Sequence, residues 1–346
     1  MMKAPSFILM YFMAFMVVVG GLASFFQYEK KNPQTANKNV LRVLSYSSFI
    51  KEWGPGPILA KEFEEETGIK IEWIDAGYAG QILEELKKNE NSVDAVLGLD
   101  LIAMHEAKKI LQWKKLNRYN TYFSRELPSG VIFDQFLPID WSPMTFVYKK
   151  KMALPPQRLE DLLSADFANS LGLQDPNISS TGFYFLAWIM SVMGEEKGFE
   201  YLKTLKSSIR VVSPSWSASY GLFKNNLVPL VFTFFASPIY HHLNEKDFSY
   251  QPIYFDEPLI YTVEYAAVPA TCSSCDDAQL FVEFLLRMGS QRTIMEKNYM
   301  LPVVEGVRKG TAFDFSKNIQ LIKPNAFLKT IDNKEKILNQ WNKTGL

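Results

Sequence analysis

Residues 40–111 read VLRVLSYSSFIKEWGPGPILAKEFEEETGIKIEWIDAGYAGQILEELKKNENSVDAVLGLDLIAMHEAKKIL and alternate between two periods. VLRVLSY (40–46) is a short apolar run of strand type. PILAKEFEEETG (57–68) opens on Pro57, puts Ile58, Leu59 and Phe63 on one helical face, and stops at Gly68. IKIEWI (69–74) returns to the strand period, with Ile69, Ile71 and Trp73 on one side. GQILEELKKNE (80–90) groups Ile82, Leu83 and Leu86 as a helix does, VDAVLGL (93–99) is a buried strand, and LIAMHEAKKIL (101–111) is another helix. Strict strand–helix alternation predicts a parallel sheet with helices on both faces, and in such sheets ligands sit outside the carboxyl ends of the strands.

A second α/β region follows from about Asp140. It contains PPQRLEDLL (155–163), a long apolar helix around FYFLAWIMSVMG (183–194) that belongs in a core, and the strands IRVVS (209–213) and PLVFTFF (229–235). LIYTVEYAAVPA (259–270) reads as a strand returning toward the first region, and AQLFVEFLLRMGS (278–290) as an amphipathic helix. Two lobes are therefore expected, one from 40–139 plus 260–306 and the other from 140–259 plus 307–346. Asp140 and Trp141 fall at a crossing between them. No internal repeat or low-complexity tract interrupts the chain.

The 346 residues suffice for two apolar cores, and 37 basic side chains balance 37 acidic ones. That neutrality argues against nucleic acid, which requires a dense basic surface. The 16 Tyr and 7 Trp exceed ordinary core needs and suit ligand walls. Lys3 precedes an uncharged stretch containing FILMYFMAFMVVVGGLASFF (7–26), so 1–28 reads as an export signal or a retained membrane anchor. No cysteine lies near it to carry a lipid. The polar segment EKKNPQTANKN (29–39) reads as a linker, and the remainder is placed outside the cytoplasm. In that compartment the two cysteines, Cys272 and Cys275 of TCSSCDD, are read as a local disulfide.

Six segments at predicted strand ends or loops carry aromatic or small polar residues: SYSSFIKEWGPGP (45–57), LGLD (97–100), QDPNISSTG (174–182), SWSASYGLF (215–223), ASPIYHH (236–242) and KNYMLP (297–302). Together they suit a flat, partly cationic organic ligand, because aromatic faces attract cations. Asp100 offers a charge partner. Small residues ahead of helix starts in DAGYAG (75–80) and NISSTG (177–182) favour an anion such as phosphate. His241 and His242 point apart and lack further ligands, so no metal is expected.

The ordered set SYSSF, WGPGP, LGLD, QDP, WSASYGLF and SPIYH resembles the thiamine-binding proteins of bacterial thiamine ABC transporters, from about Val40 to Pro302. The resemblance implies an α/β, two-lobed type II periplasmic-binding-protein fold with the ligand cleft between lobes. It implies capture of thiamine or thiamine phosphate for the transporter's membrane subunits by a monomer without catalytic residues or cofactor. By position it implies an aromatic cage of Tyr46, Trp53, Trp216, Tyr240 and Tyr299, with Tyr220 alongside. Gly80, Ser179 and Ser180 would meet the hydroxyethyl or phosphate end, and Asp100 the cleft floor.

Two departures stand out: Ser47 where the family commonly has Asp, and Tyr299 where it has Trp. They leave open a thiamine precursor such as an aminopyrimidine, or another small cationic solute. Ferric iron lacks its tyrosine pair with His and carboxylate, and polyamines would need more cleft acids than Asp100. A thiamine-degrading enzyme would need an activated thiolate, whereas both thiols here lie far from the cleft motifs and beside Asp276 and Asp277.

Overall fold

The computed structural model describes residues 40–117, 121–315 and 319–345. The signal-or-anchor segment and the linker lie outside the described residues. None of the helices among the described residues is long and apolar enough to cross a membrane.

The alternating start of the chain folds as its pattern predicts. Strand β1 (Val40–Ser45) leads through a single helical turn, Ser47–Ile50, to helix α1 (Gly56–Thr67). Pro57 sits in the first turn of α1, and Gly68 closes it in the left-handed conformation at φ 75°. Strand β2 (Lys70–Asp75), helix α2 (Ile82–Asn89), strand β3 (Ala95–Asp100) and helix α3 (Leu101–Ile110) follow. β1 pairs in parallel with both β2 and β3.

The centre of the sheet departs from the all-parallel expectation. β4 (Phe136–Lys149) and β9 (Tyr261–Ala267) run antiparallel to each other, and β9 runs antiparallel to β3. The order is β2-β1-β3-β9-β4-β7-β5-β6, with β8 (Tyr250–Pro252) and β10 (Leu301–Pro302) also paired to β4. β4 carries the chain from one half of the structure to the other. Phe136–Pro143 pairs with β9, whereas Met144–Tyr148 pairs with β7 (Leu230–Phe234). The hand-over falls at Pro143, which has no N–H to give to a ladder. Met144 N–H instead bonds Ile260 O at 2.8 Å, and Pro143 O accepts from Phe235 N–H at 2.8 Å.

In the second half, β5 (Leu171–Gln174) pairs in parallel with β6 (Ile209–Ser213) and β7. Helix α4 (Ser180–Met193) is buried continuously from Thr181 to Met190, as befits a helix apolar on every side. Helix α5 (Glu195–Leu205) follows, then α6 (Trp216–Lys224) after β6. β9 leads through the disulfide Cys272–Cys275 into α7 (Cys275–Leu285) and α8 (Met288–Asn298). Helices α9 (Pro324–Asp332) and α10 (Lys334–Trp341) complete the chain, α9 packing on α4 through Tyr184 and Phe327.

Candidate functional site

α6 begins where Ser215 caps it, its Oγ accepting from Ala218 N–H at 3.2 Å. One turn apart, Trp216 and Tyr220 meet on the same face and stack at 5.1 Å and 22°. Trp216 Nε1 donates to Thr233 Oγ1 on β7 at 2.7 Å, and Thr233 shares a further bond with Ser237 Oγ at 3.0 Å. The Tyr220 hydroxyl lies 3.0 Å from His241 Nε2. His241 begins a π-helical turn, His241–Glu245, directly after the short helix Ser237–Tyr240.

Tyr240 continues the aromatic run, edge-on to Tyr299 at 5.3 Å. Tyr299 caps α8 in the left-handed conformation, and its hydroxyl accepts from Asn244 Nδ2 at 2.7 Å. The same Asn244 amide donates to Tyr240 O at 2.9 Å, so one side chain fixes both tyrosines. Trp216, Tyr220, Tyr240 and Tyr299 are thereby joined through rings and their immediate partners. Tyr299 comes from the helix that precedes β10, whereas the others come from the β6–β8 region.

Two other predicted residues stand apart from this wall. Trp53, in the turn before α1, is 63% exposed. Tyr46 is buried, and its hydroxyl donates to Glu264 Oε2 at 2.8 Å while accepting from Asn298 Nδ2 at 2.9 Å. Its ring lies over Gly98, where an added Cβ would come within 2.4 Å of Tyr46 Cε1. Gly98 holds φ 87° at a register shift between Leu97 and Leu99, so the bulge makes room for the ring.

The strand ends of the first half supply polar groups. Ser47 Oγ donates to Asp75 Oδ1 at 2.6 Å, as does Gly77 N–H at 2.8 Å, and Lys51 Nζ lies 3.3 Å from Asp75 Oδ2. Partial burial works to raise the Asp75 pKa, but the bonds from Ser47, Gly77 and Lys51 outweigh it and hold the carboxylate below its ordinary range. Gly80 lies exposed in the 3₁₀ turn Ala79–Gln81, with open space around it.

Asp100 caps α3 by accepting from Ala103 N–H at 2.7 Å. Burial raises its pKa against the opposing bonds from Ala103 and from the Ser180 hydroxyl at the start of α4. Ser179, the cap residue of α4, shares a 2.9 Å bond with Thr181 Oγ1. Asp100 and Ser180 therefore meet where α3 and α4 begin, with Ser179 beside Ser180 in sequence.

A feature missed in the sequence links these groups. In register, Asp100 pairs with Glu264 and Glu264 with Asp140, placing three acids in one row across β3, β9 and β4. Asp140 is fully buried, accepts from Asn298 Nδ2 at 2.8 Å through Oδ2, and keeps Oδ1 without a partner. Burial pushes Asp140 up to about 7. Burial and then the Asp140 and Asp100 charges push Glu264 well above the carboxylate range, against the bond from Tyr46. A lone Glu inside the apolar run LIYTVEYAAV was the available signal, since an unpaired acid in a buried strand is costly.

Residues 59–321 match the family of bacterial extracellular solute-binding proteins. This chain belongs to that family. It is 34% identical over 269 residues to the thiamine-binding periplasmic protein of Escherichia coli K12, covering 77% of this chain and 81% of the relative. It is 32% identical over 275 residues to the protein of the same name in Brucella suis, covering 78% and 81%. A solved periplasmic thiamin binding protein superposes with a TM-score of 0.75 at 28% identity, covering 90% of this chain and 98% of the other. The ferric binding protein from Campylobacter jejuni, at TM-score 0.72 and 18% identity over 88% and 99% of the two chains, shares the fold. The solute-binding protein thus has the two-lobed type II architecture its sequence implies.

Proposed function

We propose that this solute-binding protein captures thiamine or a thiamine phosphate outside the cytoplasm and delivers it to the membrane subunits of an ABC transporter. The observation that carries the reading is the two aromatic pairs Trp216–Tyr220 and Tyr240–Tyr299, joined through His241, in a chain whose relatives bear the thiamine-binding name. A thiazolium is a flat cation, and desolvated aromatic faces attract such a charge by about 0.5–2 kcal/mol each. Trp53 joins the cage when the lobes close on the ligand, its exposure leaving it free to do so. Ser179, Ser180 and Gly80 meet the hydroxyethyl or phosphate end, where the start of α4 presents free N–H groups. Tyr46 and Asp100 hold the cleft floor through their bonds to Glu264 and Ser180. The protein acts as a monomer and without catalysis, with lobes divided at the β4 and β9 crossings. Its amino-terminal segment is either removed on export or kept as a tether.

The aminopyrimidine alternative drew on the absence of a carboxylate at Ser47, and Asp75 at 2.6 Å weakens that ground. Titrating tryptophan fluorescence of residues 40–346 with thiamine, its phosphates and the free aminopyrimidine tests the reading. Saturable quenching by thiamine, reduced in Trp216→Phe, supports it. Response to the pyrimidine alone transfers the assignment to a precursor, and silence towards every ligand removes thiamine as the solute.

A further inference from the structure

Behind the aromatic surface lies a buried relay. His241 is fully buried, with Nδ1 2.6 Å from Glu245 Oε2 and Nε2 3.0 Å from the Tyr220 hydroxyl. Its ring lies flat on Tyr250 at 3.5 Å and 4°, and nearly parallel to Tyr220 at 5.8 Å and 15°. The carboxylate of Glu245 is also bound by Lys224 Nζ at 2.7 Å, so it stays ionised and can only accept. The proton of a neutral His241 must then sit on Nδ1, which leaves Nε2 as an acceptor for the Tyr220 O–H. Tyr220 in turn stacks on Trp216.

We propose that His241 is a positioning residue for the ligand wall: its neutral ring anchors the Tyr220 hydroxyl, sets the Tyr220–Trp216 stack, and makes capture of a cationic solute weaken when the imidazole takes up a second proton. The inference rests on the thiamine reading above. Protonation turns Nε2 into a donor, so the Tyr220 hydroxyl has to reverse, and it places a positive charge one ring behind the surface that meets the cationic ligand. The backbone is shaped around this residue. The π turn that starts at His241 ends on Lys246 at φ 55°, a conformation unfavourable for a residue with a side chain, and Lys246 N–H bonds back to His241 O.

Charged and titratable groups face the ring from every element packed against it. Glu245 and Asp247 follow on its own turn, Lys224 and Tyr220 face it from α6, Tyr240 and His242 flank it, and Tyr250 covers it from β8 with Lys149 of β4 4.7 Å above the Tyr250 ring. Burial outweighs Glu245 and keeps His241 below its ordinary value, so it is neutral at physiological pH.

The test compares the dissociation constant for thiamine in the wild-type full chain, His241→Gln and His241→Phe between about pH 7.5 and about pH 5. Titration of the ligand itself is common to all three proteins and cancels in their ratios. Gln keeps an acceptor near Nε2 without titrating, so it should bind about threefold more weakly at the higher pH and close the gap on, or overtake, wild type at the lower one. Phe, which leaves both Tyr220 and Glu245 without their partner, should bind about tenfold more weakly at the higher pH. A wild-type to Gln ratio that stays flat across the range overturns the proposal. Nitrogen-15 NMR of the ligand-free wild type reads the same assignment without thiamine and without relying on a variant that folds. A proton on Nδ1 at the higher pH, moving to double protonation on acidification, agrees with it, and a proton on Nε2 refutes it. Absence of thiamine binding by wild type at every pH would retire the ligand reading while the NMR result still decides the tautomer and the titration.

Discussion

Trp216→Ala tests the site most directly, because this indole makes three separable contacts. It stacks on Tyr220 at 5.1 Å, tilts against Phe234 at 6.0 Å, and donates to Thr233 Oγ1 at 2.7 Å. The two ring contacts are worth about 0.5–1.5 kcal/mol each beyond area, and the hydrogen bond about 1 kcal/mol. Thr233 keeps its bond to Ser237, so no buried group is orphaned by the truncation. Trp216 is half-buried, which brings the expected loss of folding stability to about 2 kcal/mol, or about 3 °C in Tm for a chain of this size. The binding effect is separate: loss of one stacking face and one cation attraction should cost about 1–3 kcal/mol, about 5–150-fold in Kd. Calorimetric titration with thiamine well below the melting temperature, beside a thermal melt, reads the two effects independently. Trp216→Phe keeps the stack and drops the Nε1 bond, so it should fall between. An Ala variant that is folded and binds thiamine within twofold of wild type would refute the aromatic wall as the binding surface.

Three further outcomes follow from the core around the site. Asp140 has a folded pKa raised to about 7, above that of the unfolded chain, so its protonated form stabilises the fold fully below about pH 4 and the contribution is lost as pH rises through about 7. Melting temperature should therefore fall from mildly acidic to mildly alkaline pH, and Asp140→Asn should flatten that slope; an equally steep slope in the variant would count against the raised pKa. Gly98→Ala forces a side chain onto φ 87° and into the Tyr46 ring, so denaturant titration should show a loss of about 2 kcal/mol or more. Replacing both Cys272 and Cys275 with Ser opens a loop of sequence separation 3, and the short loop limits the loss to about 2 kcal/mol or less. Asp94 still accepts from Ser273 N–H and Oγ and from Ser274 N–H, so the loop keeps its place and thiamine affinity should not change.

The alternating start of the chain was legible because each element there is local: Pro57 and Gly68 bracket α1, and Ile82, Leu83 and Leu86 mark the buried face of α2. β4 was not, because a fourteen-residue strand containing Pro138 and Pro143 carries no period of either kind when both its faces are covered. Its route was legible only as a crossing at Asp140 and Trp141. The aromatic wall could be read as a set of motifs, since Trp216 and Tyr220 share a helix face and Tyr240 lies at a helix end. That Tyr299 meets Tyr240 required the fold, because 59 positions separate them. The acid row was out of reach for the same reason: Asp100, Asp140 and Glu264 become neighbours only through strand order and register. His241 was read only as one of an adjacent pair unsuited to metal, because its approach to Tyr220, 21 positions earlier, exists only in the fold.

The division of labour between the two kinds of contact at the site explains how a binding protein of this design can both hold and release its ligand. Where the aromatic run passes from one part of the sheet's helices to the other, the bridge consists of an edge-on tyrosine pair and the single Asn244–Tyr299 bond. Contacts of that kind are worth about 1 kcal/mol each, and they act beside further links between the two sides, His105 to Asp332 at 2.8 Å and Lys334 to Glu106 at 2.7 Å. On the proposed function, a ligand that touched Tyr240 and Tyr299 at once would add contacts on both sides in the closed arrangement. Its differential affinity is what drives closure, in proportion to the contacts it adds on both sides. The buried row beneath acts in the opposite sense. Tyr46 just after β1, Asn298 of α8, Asp140 of β4 and Glu264 of β9 are tied to one another, and removing Asn298 takes from the buried Asp140 carboxyl its one hydrogen bond. These bonds join the β4 and β9 crossings to α8 and to the end of β1.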